Sequence, residues 1–302
     1  MALTSTSLEG TLKLTARGKV RDLYEISPTT LLFVATDRIS AYDVILANGI
    51  PSKGRILTLL TKQWFTILNQ AIPSLRTHFL TLDLPPQIPE NLRPDYQGRS
   101  MQVRKLKIFP VEAIVRGYIT GSAWAEYQKH GTVHGIDMPE GMQESQKFPE
   151  PLFTPSTKAP AGEKDENVHP SKVAELVGSA KHAARIEELS LQIFKAAQAY
   201  AAERGIIIAD TKFEFGLDEE TDEVVLVDEV LTPDSSRFWD QDEYEVGKSQ
   251  RSFDKQYLRD WLTKEGLKGR EGVEIQEDVV KGTLQRYSDV YERLVGSKWE
   301  DL

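Results

Sequence analysis

Cysteine is absent from the 302 residues. That excludes a disulfide scaffold, a thiolate zinc site, an iron–sulfur cluster and a cysteine nucleophile, and it fits a reducing, intracellular address. Long apolar runs are missing too. Stretches such as 31–35 and 205–209 fall far short of the roughly 20 residues that span a bilayer. Residues 1–10 lack the basic and apolar regions of a secretory signal, so a cytoplasmic location without membrane contact is expected. Surplus positive charge is the third absence. With 37 Lys and Arg against 46 Asp and Glu the net charge is −9, and no basic run of the kind nucleic-acid binders carry interrupts it. Nucleic acid is therefore not an expected partner. An acidic chain can still bind phosphorylated small molecules where Lys and Arg converge beside glycine and polar turns.

Hydrophobic residues at 40% and charged residues at 27% are the proportions of a folded globular chain, and its length suits one large domain or two lobes. Residues 12–15 and 20–26 flank a glycine turn, and 31–36 is β-rich and ends in Asp37-Arg38, which predicts an antiparallel N-terminal sheet. Ile56, Leu59, Leu60, Trp64, Ile67 and Leu68 recur at helical spacing before Pro73, so a helix from Lys53 should cover that sheet. Prolines 85, 86, 89 and 94 mark a connection, after which 100–107 and 111–116 read as extended and a helix starts near Ser122. The lobe boundary is placed near 115. Residues 135–170 hold six prolines and no apolar period, the mark of a lid or binding loop, with disorder as the alternative. A helix over 180–204 stops at Gly205; strands at 206–215 and 224–230 follow, then helices at 254–264 and 275–294.

Three stretches could carry chemistry. The hairpin from IIIADTKFEFG to VVLVDEVLTPDSSRFW, folded about Glu219 and Glu220, would bring Asp210 within about one register step of Asp228 and Glu229. Carboxylates gathered there repel unless a cation offsets them, and hard oxygen ligands suit Mg²⁺ held with substrate phosphates. Asp210, Glu214 and Asp228 are the candidate ligands; a solvated acidic hairpin is the alternative. The second stretch is the turn around Arg17, Gly18, Lys19 and Arg21, where glycine lets the backbone approach a phosphate and lysine supplies a point charge. The third places Arg116 six residues before Ser122 at a helix start, a guanidinium fork beside free N–H groups; a plain Ser N-cap is the alternative. Arg237 follows the acidic hairpin, and Lys158 sits in the long loop.

Other motifs fail. Gly247-Lys248-Ser249 imitates the end of a Walker A loop, but position 242 is Asp rather than Gly. His130 and His134 lack the glutamate of a zinc helix and have Gly131 between them. No H-R-D loop accompanies Glu214-Phe215-Gly216, so a protein kinase is excluded.

Taken together, GKVRDLY at 18–24, DRISAYD at 37–43, VEAIVRGYITGSAW at 111–124, FTPSTKA at 153–159, DTKFEFG at 210–216, VDEVLTPDSSRFW at 227–239 and FDKQYLRDWL at 253–262 resemble the SAICAR synthetase family of de novo purine biosynthesis, in the family's order. The length and the 125–155 insertion resemble its larger, monomeric fungal form. The resemblance implies an α+β fold of two ATP-binding lobes: 1–115 like a protein kinase N-terminal lobe, and 116–302 like an ATP-grasp domain, closed by helices from about 254. It implies ATP-dependent ligation of L-aspartate to the carboxylate of carboxyaminoimidazole ribonucleotide (CAIR), with Mg²⁺ and an acyl phosphate. By the same resemblance Gly18, Lys19, Arg21 and Lys158 serve ATP, and Glu214 and Asp228 serve the metal and nucleotide. Arg116, Ser122, Arg237, Ser40, Asp43 and Arg259 surround the ribotide and amino acid, and Asp210, Lys158 and Arg259 carry the catalytic role.

Overall fold

Alternating burial along Arg21–Ser27 and Thr30–Ala35 turns Tyr24, Leu32 and Val34 to one buried face, the period-2 pattern of a half-buried sheet. These strands belong to a five-stranded antiparallel sheet, ordered Lys13–Arg17, Arg21–Ser27, Thr30–Ala35, Ser100–Arg104, Phe79–Thr81. The computed structural model describes residues 1–8, 10–158 and 165–301. Within them the fold is mixed α and β with antiparallel sheets. The chain leaves the first sheet at Arg104 and joins a second at Lys107, and Val111–Tyr118 straddles the boundary expected at 115.

The spine of the second sheet is the 13-residue strand Ile206–Asp218. Its first half lies between Val111–Tyr118 and Ser236–Asp240, and its second half between Glu223–Val227 and the short Lys107–Ile108. A bulge between Ile208 and Asp210 shifts the alternation by one residue. Ile206 and Ile208, then Phe213 and Phe215, enter the core, which leaves Asp210, Lys212 and Glu214 together on the opposite face. The expected strands appear in order, but the first runs on to Asp218, and Ser236–Asp240 adds a strand that was not expected. The strand after the turn stops at Val227 because Asp228 has a left-handed φ of 66°, a conformation Asp tolerates better than most residues but one that ends a strand.

Helices Lys53–Ala71, Ala180–Ala202 and Glu277–Val295 share the main core with this second sheet through Trp64, Phe194 and Tyr287. The first helix was expected to cover the N-terminal sheet. It touches two strands of that sheet, yet its apolar stripe joins the cluster of the second. The proline-rich connection covers the first sheet instead, laying Leu84, Ile88 and Tyr96 on Tyr24, Leu32 and Val34. A smaller core joins Ile39, Leu46 and Ile50 to Leu258 of the Gln256–Lys264 helix and to Val279.

The 135–170 stretch is less of a loop than its composition suggests. Lys147–Phe153 and Ser156–Thr157 both pair with Val111–Tyr118, and the pairing skips between Lys147 and Leu152. Pro149 and Pro151 fall in that skip on an edge strand, the place where a sheet accepts proline. Residues 159–164, including Ala159 at the end of the FTPSTKA motif, lie outside the described residues.

Candidate active site

Asp210 and Glu214, four residues apart on one strand face, open onto two different cavities. Glu214 faces a cleft of about 320 Å³ between the glycine turn and the acidic hairpin. Leu23, Leu31, Phe33, Ile108 and Val227 give it apolar walls, and Gly18, Arg21, Lys158, Glu214 and Asp228 give it a charged end. Such a division suits a ligand with a flat apolar part and an anionic part.

At the charged end, Arg21 donates to Asp228 at 2.5 Å and lies 3.0 Å from Glu229. Lys158 pairs with Glu214. Lys212 lies 2.5 Å from Glu112 and 3.5 Å from Glu214. Burial would raise the Glu214 carboxyl, but Lys212, Lys158 and Arg21 together hold it below the ordinary range. Asp228 goes the other way. Burial, with Glu214 and Glu229 beside it, outweighs Arg21 and pushes it up to about 6. Arg21, Lys158 and Lys212 thus match Glu214, Asp228 and Glu229 in charge, and the two cleft carboxylates offer hard oxygens of the kind a divalent cation takes.

Asp210 does not join these two. The sheet register sets it opposite Arg116 on one neighbouring strand and Arg237 on the other, and both guanidinium groups pair with its carboxylate, Arg116 at 2.9 Å. The expected magnesium trio is thus divided, since Asp210 turns to a different cavity and is already held by two cations. Among the described residues no group of three His, Asp or Glu is placed to hold a metal. The hairpin reasoning failed on register: the bulge and the Ser236–Asp240 pairing put Arg237, not Asp228, across from Asp210.

The second cavity, about 90 Å³, is lined by Asp210, Asp234, Ser236, Arg237, Asp254, Lys255 and Arg259. Beneath it, Asp234 lies 2.8 Å from Lys53 and 3.2 Å from Lys255, and accepts from the Tyr287 hydroxyl at 2.6 Å. Burial would raise Asp234, but Lys255 and Lys53 hold it well below the ordinary carboxylate range. Burial and the neighbouring Lys53 lower Lys255, against Asp234. Counting Arg116 and Lys53, five cations face three carboxylates, a surplus of two positive charges that matches a phosphate dianion.

The other expected residues are less central. Ser122 lies in the first turn of Gly121–His130, whose N-cap is Thr120, and its hydroxyl is 3.4 Å from Arg116. Lys19 reaches Asp43 at 2.6 Å on the surface. Ser40 sits on the two-residue strand Ser40–Ala41; neither Ser40 nor Asp43 is among the described residues lining the two cavities. Sequence reasoning passed over Lys53, Asp234, Lys255 and Tyr287. Lys255 and Asp234 lie inside motifs already singled out, but Lys53, a charged residue at a helix start, carried no signal of burial.

A protein-family model described as SAICAR synthetase matches residues 14–275. The chain belongs to the SAICAR synthetase family. The curated phosphoribosylaminoimidazole-succinocarboxamide synthase of Schizosaccharomyces pombe is 56% identical, with 99% of each chain covered, and that of Saccharomyces cerevisiae is 54% identical at the same coverage. These names describe a ligase of purine biosynthesis, and membership of the family makes this chain one. A solved SAICAR synthase from Saccharomyces cerevisiae, complexed with SAICAR, superposes with a TM-score of 0.89 at 53% identity, covering 98% of this chain and 99% of that one. A SAICAR synthetase in complex with ADP superposes at 0.70 and 26% identity, covering 94% and 98%.

Proposed function

We propose that the chain joins L-aspartate to the carboxylate of CAIR at the expense of ATP, giving SAICAR, ADP and phosphate. In this reading the 1–115 lobe, like a protein kinase N-terminal lobe, and the ATP-grasp-like 116–302 lobe hold the nucleotide between them, in a monomeric cytoplasmic enzyme. One observation carries it: a cleft with an apolar wall and a charged end, and a pocket with surplus positive charge, open on one face of one strand at Glu214 and Asp210. Four strand residues span about 13 Å, a distance that a terminal phosphate on one side and a ribotide carboxylate on the other can bridge. Lys212, midway on the same face, stands beside that path.

The roles follow from the chemistry of each group. Gly18, Lys19, Arg21 and Lys158 receive the ATP phosphates. Arg237, Arg259 and Arg116, with Ser122, hold the ribotide phosphate, and Asp210 keeps the two guanidinium groups aimed. Ser40 and Asp43 complete the substrate side. Glu214 and Asp228 would hold Mg²⁺, which when bound neutralises charge on the phosphate oxygens. A CAIR carboxylate oxygen attacks the terminal phosphorus and ADP leaves; the aspartate amine then attacks the acyl carbon, loses a proton, and expels phosphate. A carboxylate alone resists this attack because its leaving group is poor, so the residues need to position and neutralise rather than supply a nucleophile.

The test is ADP release by the purified protein with ATP, Mg²⁺, CAIR and L-aspartate, each omitted in turn, with the product mass checked. ADP and succinocarboxamide should appear together only in the complete mixture. ATP binding with no amide under any combination would refute the ligase reading of the site.

A further inference from the structure

Behind the Gly18–Lys19 turn lies a guanidinium that the proposed reaction does not use. Arg38 is about nine-tenths buried and stands outside the lining of the nucleotide cleft. Its Nε donates to the carbonyl of Lys19 at 3.1 Å and its Nη2 to the carbonyl of Gly18 at 3.0 Å. The same group holds Asp22 at 2.6 Å and reaches the carbonyl of Thr4 at 2.9 Å. Asp22 is fully buried and also accepts from the Thr6 hydroxyl at 2.6 Å.

The neighbouring Asp37 extends this bracing. Its carboxylate accepts the Leu3 N–H at 2.8 Å, and its own N–H donates to the Leu3 carbonyl at 2.7 Å. Its other oxygen takes the Gly54 N–H at 3.0 Å, at the start of the long helix. Leu8, fully buried in the first sheet's core, anchors the far end of the segment. Residues 3–8 are thus tied to the turn through Arg38 and Asp22, and to the helix start through Asp37.

We infer that residues 3–8, Asp22 and Arg38 form a strap that holds the Gly18–Lys19 turn in shape for the phosphates of a nucleoside triphosphate, with Arg38 as a positioning residue. The inference rests on the nucleotide reading of the cleft. A glycine turn left alone samples many backbone states, including those that point carbonyl oxygens at an incoming phosphate and repel it. Here both carbonyls are turned to Arg38, and because a trans peptide is planar, the N–H groups that follow them point the opposite way. The ligand then has less to order on binding. A guanidinium suits the task, since its planar fork serves several acceptors at fixed angles and an ammonium does not.

Two substitutions in the full-length protein test this. Arg38→Lys keeps the charge and loses the fork; Thr6→Val keeps the shape and loses the hydroxyl. The KM for ATP should rise about tenfold in the first and about threefold in the second, with the KM for L-aspartate within about twofold of wild type. A residue that only stabilised the fold would not single out the nucleotide. Folded variants with wild-type KM for ATP, or with equal rises for every substrate, would overturn the strap; if Arg38→Lys does not fold, Thr6→Val decides by the same readings. A wild-type protein that turned over without ATP would overturn the nucleotide reading and the inference with it, an outcome visible before any variant is compared.

Discussion

Two lysines share one buried carboxylate beneath the arginine-rich pocket, and a double-mutant cycle reads that sharing directly. Lys53 is fully buried and 2.8 Å from Asp234; Lys255, nearly as buried, is 3.2 Å away. Replacing either by Met keeps the aliphatic stem and leaves Asp234 one lysine and the Tyr287 hydroxyl. Each single variant should cost about 1–2 kcal/mol, the scale of one charge-assisted hydrogen bond. Lys255 also gains in Lys53→Met, because burial still lowers its basicity but the added repulsion from Lys53 is gone. The double variant leaves a buried carboxylate with no cation, and removing that last partner costs about 3–5 kcal/mol. The double loss should therefore exceed the sum of the singles by about 2 kcal/mol. Urea unfolding at pH 7 measures all three. A second sign comes from acid: the excess should fade as pH falls, because an uncompensated buried Asp takes up a proton. Additivity within about 0.5 kcal/mol, the spread of independent sites, would refute the shared-carboxylate reasoning.

Much of the fold could be read in the sequence because its periods are clean. The helix from Lys53 ends before Pro73 as expected, and the one from Ala180 stops just short of Gly205. What composition hid was pairing. The 147–157 strands have no alternation to detect, since Pro149 and Pro151 fall where the register skips. Register, equally silent in sequence, parts Asp210 from the hairpin carboxylates: Glu223–Val227 pairs only with 214–218, and Arg116 on one neighbouring strand and, past a one-residue bulge, Arg237 on the other stand opposite Asp210. Motifs located the site because glycine, basic and acidic residues cluster there along the chain. Its supporting ions escaped notice for the opposite reason: Lys53 lies 181 positions before Asp234, and only the packing of the first helix against the segment between Val227 and Ser236 brings them together.

Three further outcomes follow. Asp228→Asn should fold normally and lose Mg²⁺-dependent activity by a large factor, since it removes one of the two carboxylates on the cleft wall; wild-type rates would remove Asp228 from the metal site. Gly54→Ala should destabilise by about 3 kcal/mol or more, because a Cβ there would stand 2.1 Å from the Ala35 carbonyl oxygen, whereas Gly10→Ala meets nothing within 4 Å and should be neutral in thermal unfolding. The third concerns acid. Burial, with Arg21 nearby, lowers His78 to about 3, and burial, with Arg116 nearby, lowers His134 to about 4. Both rings stay neutral in the folded chain at pH 5 while the unfolded chain protonates them near 6.5. Their contribution is complete above about 6.5 and is lost as pH falls toward those lower values. Asp228, raised to about 6, works in the opposite sense between about 4 and 6, since its folded form binds the extra proton. Two histidines, each losing about 2 kcal/mol, against one carboxylate returning about 1 leave a net loss of about 2–3 kcal/mol between pH 7 and pH 5. His78→Phe, which keeps the edge contacts to Phe33 and Phe65, should flatten that slope in urea titrations at the two pH values. An unchanged slope in His78→Phe would mean that the ring is protonated, or exposed, in the folded protein.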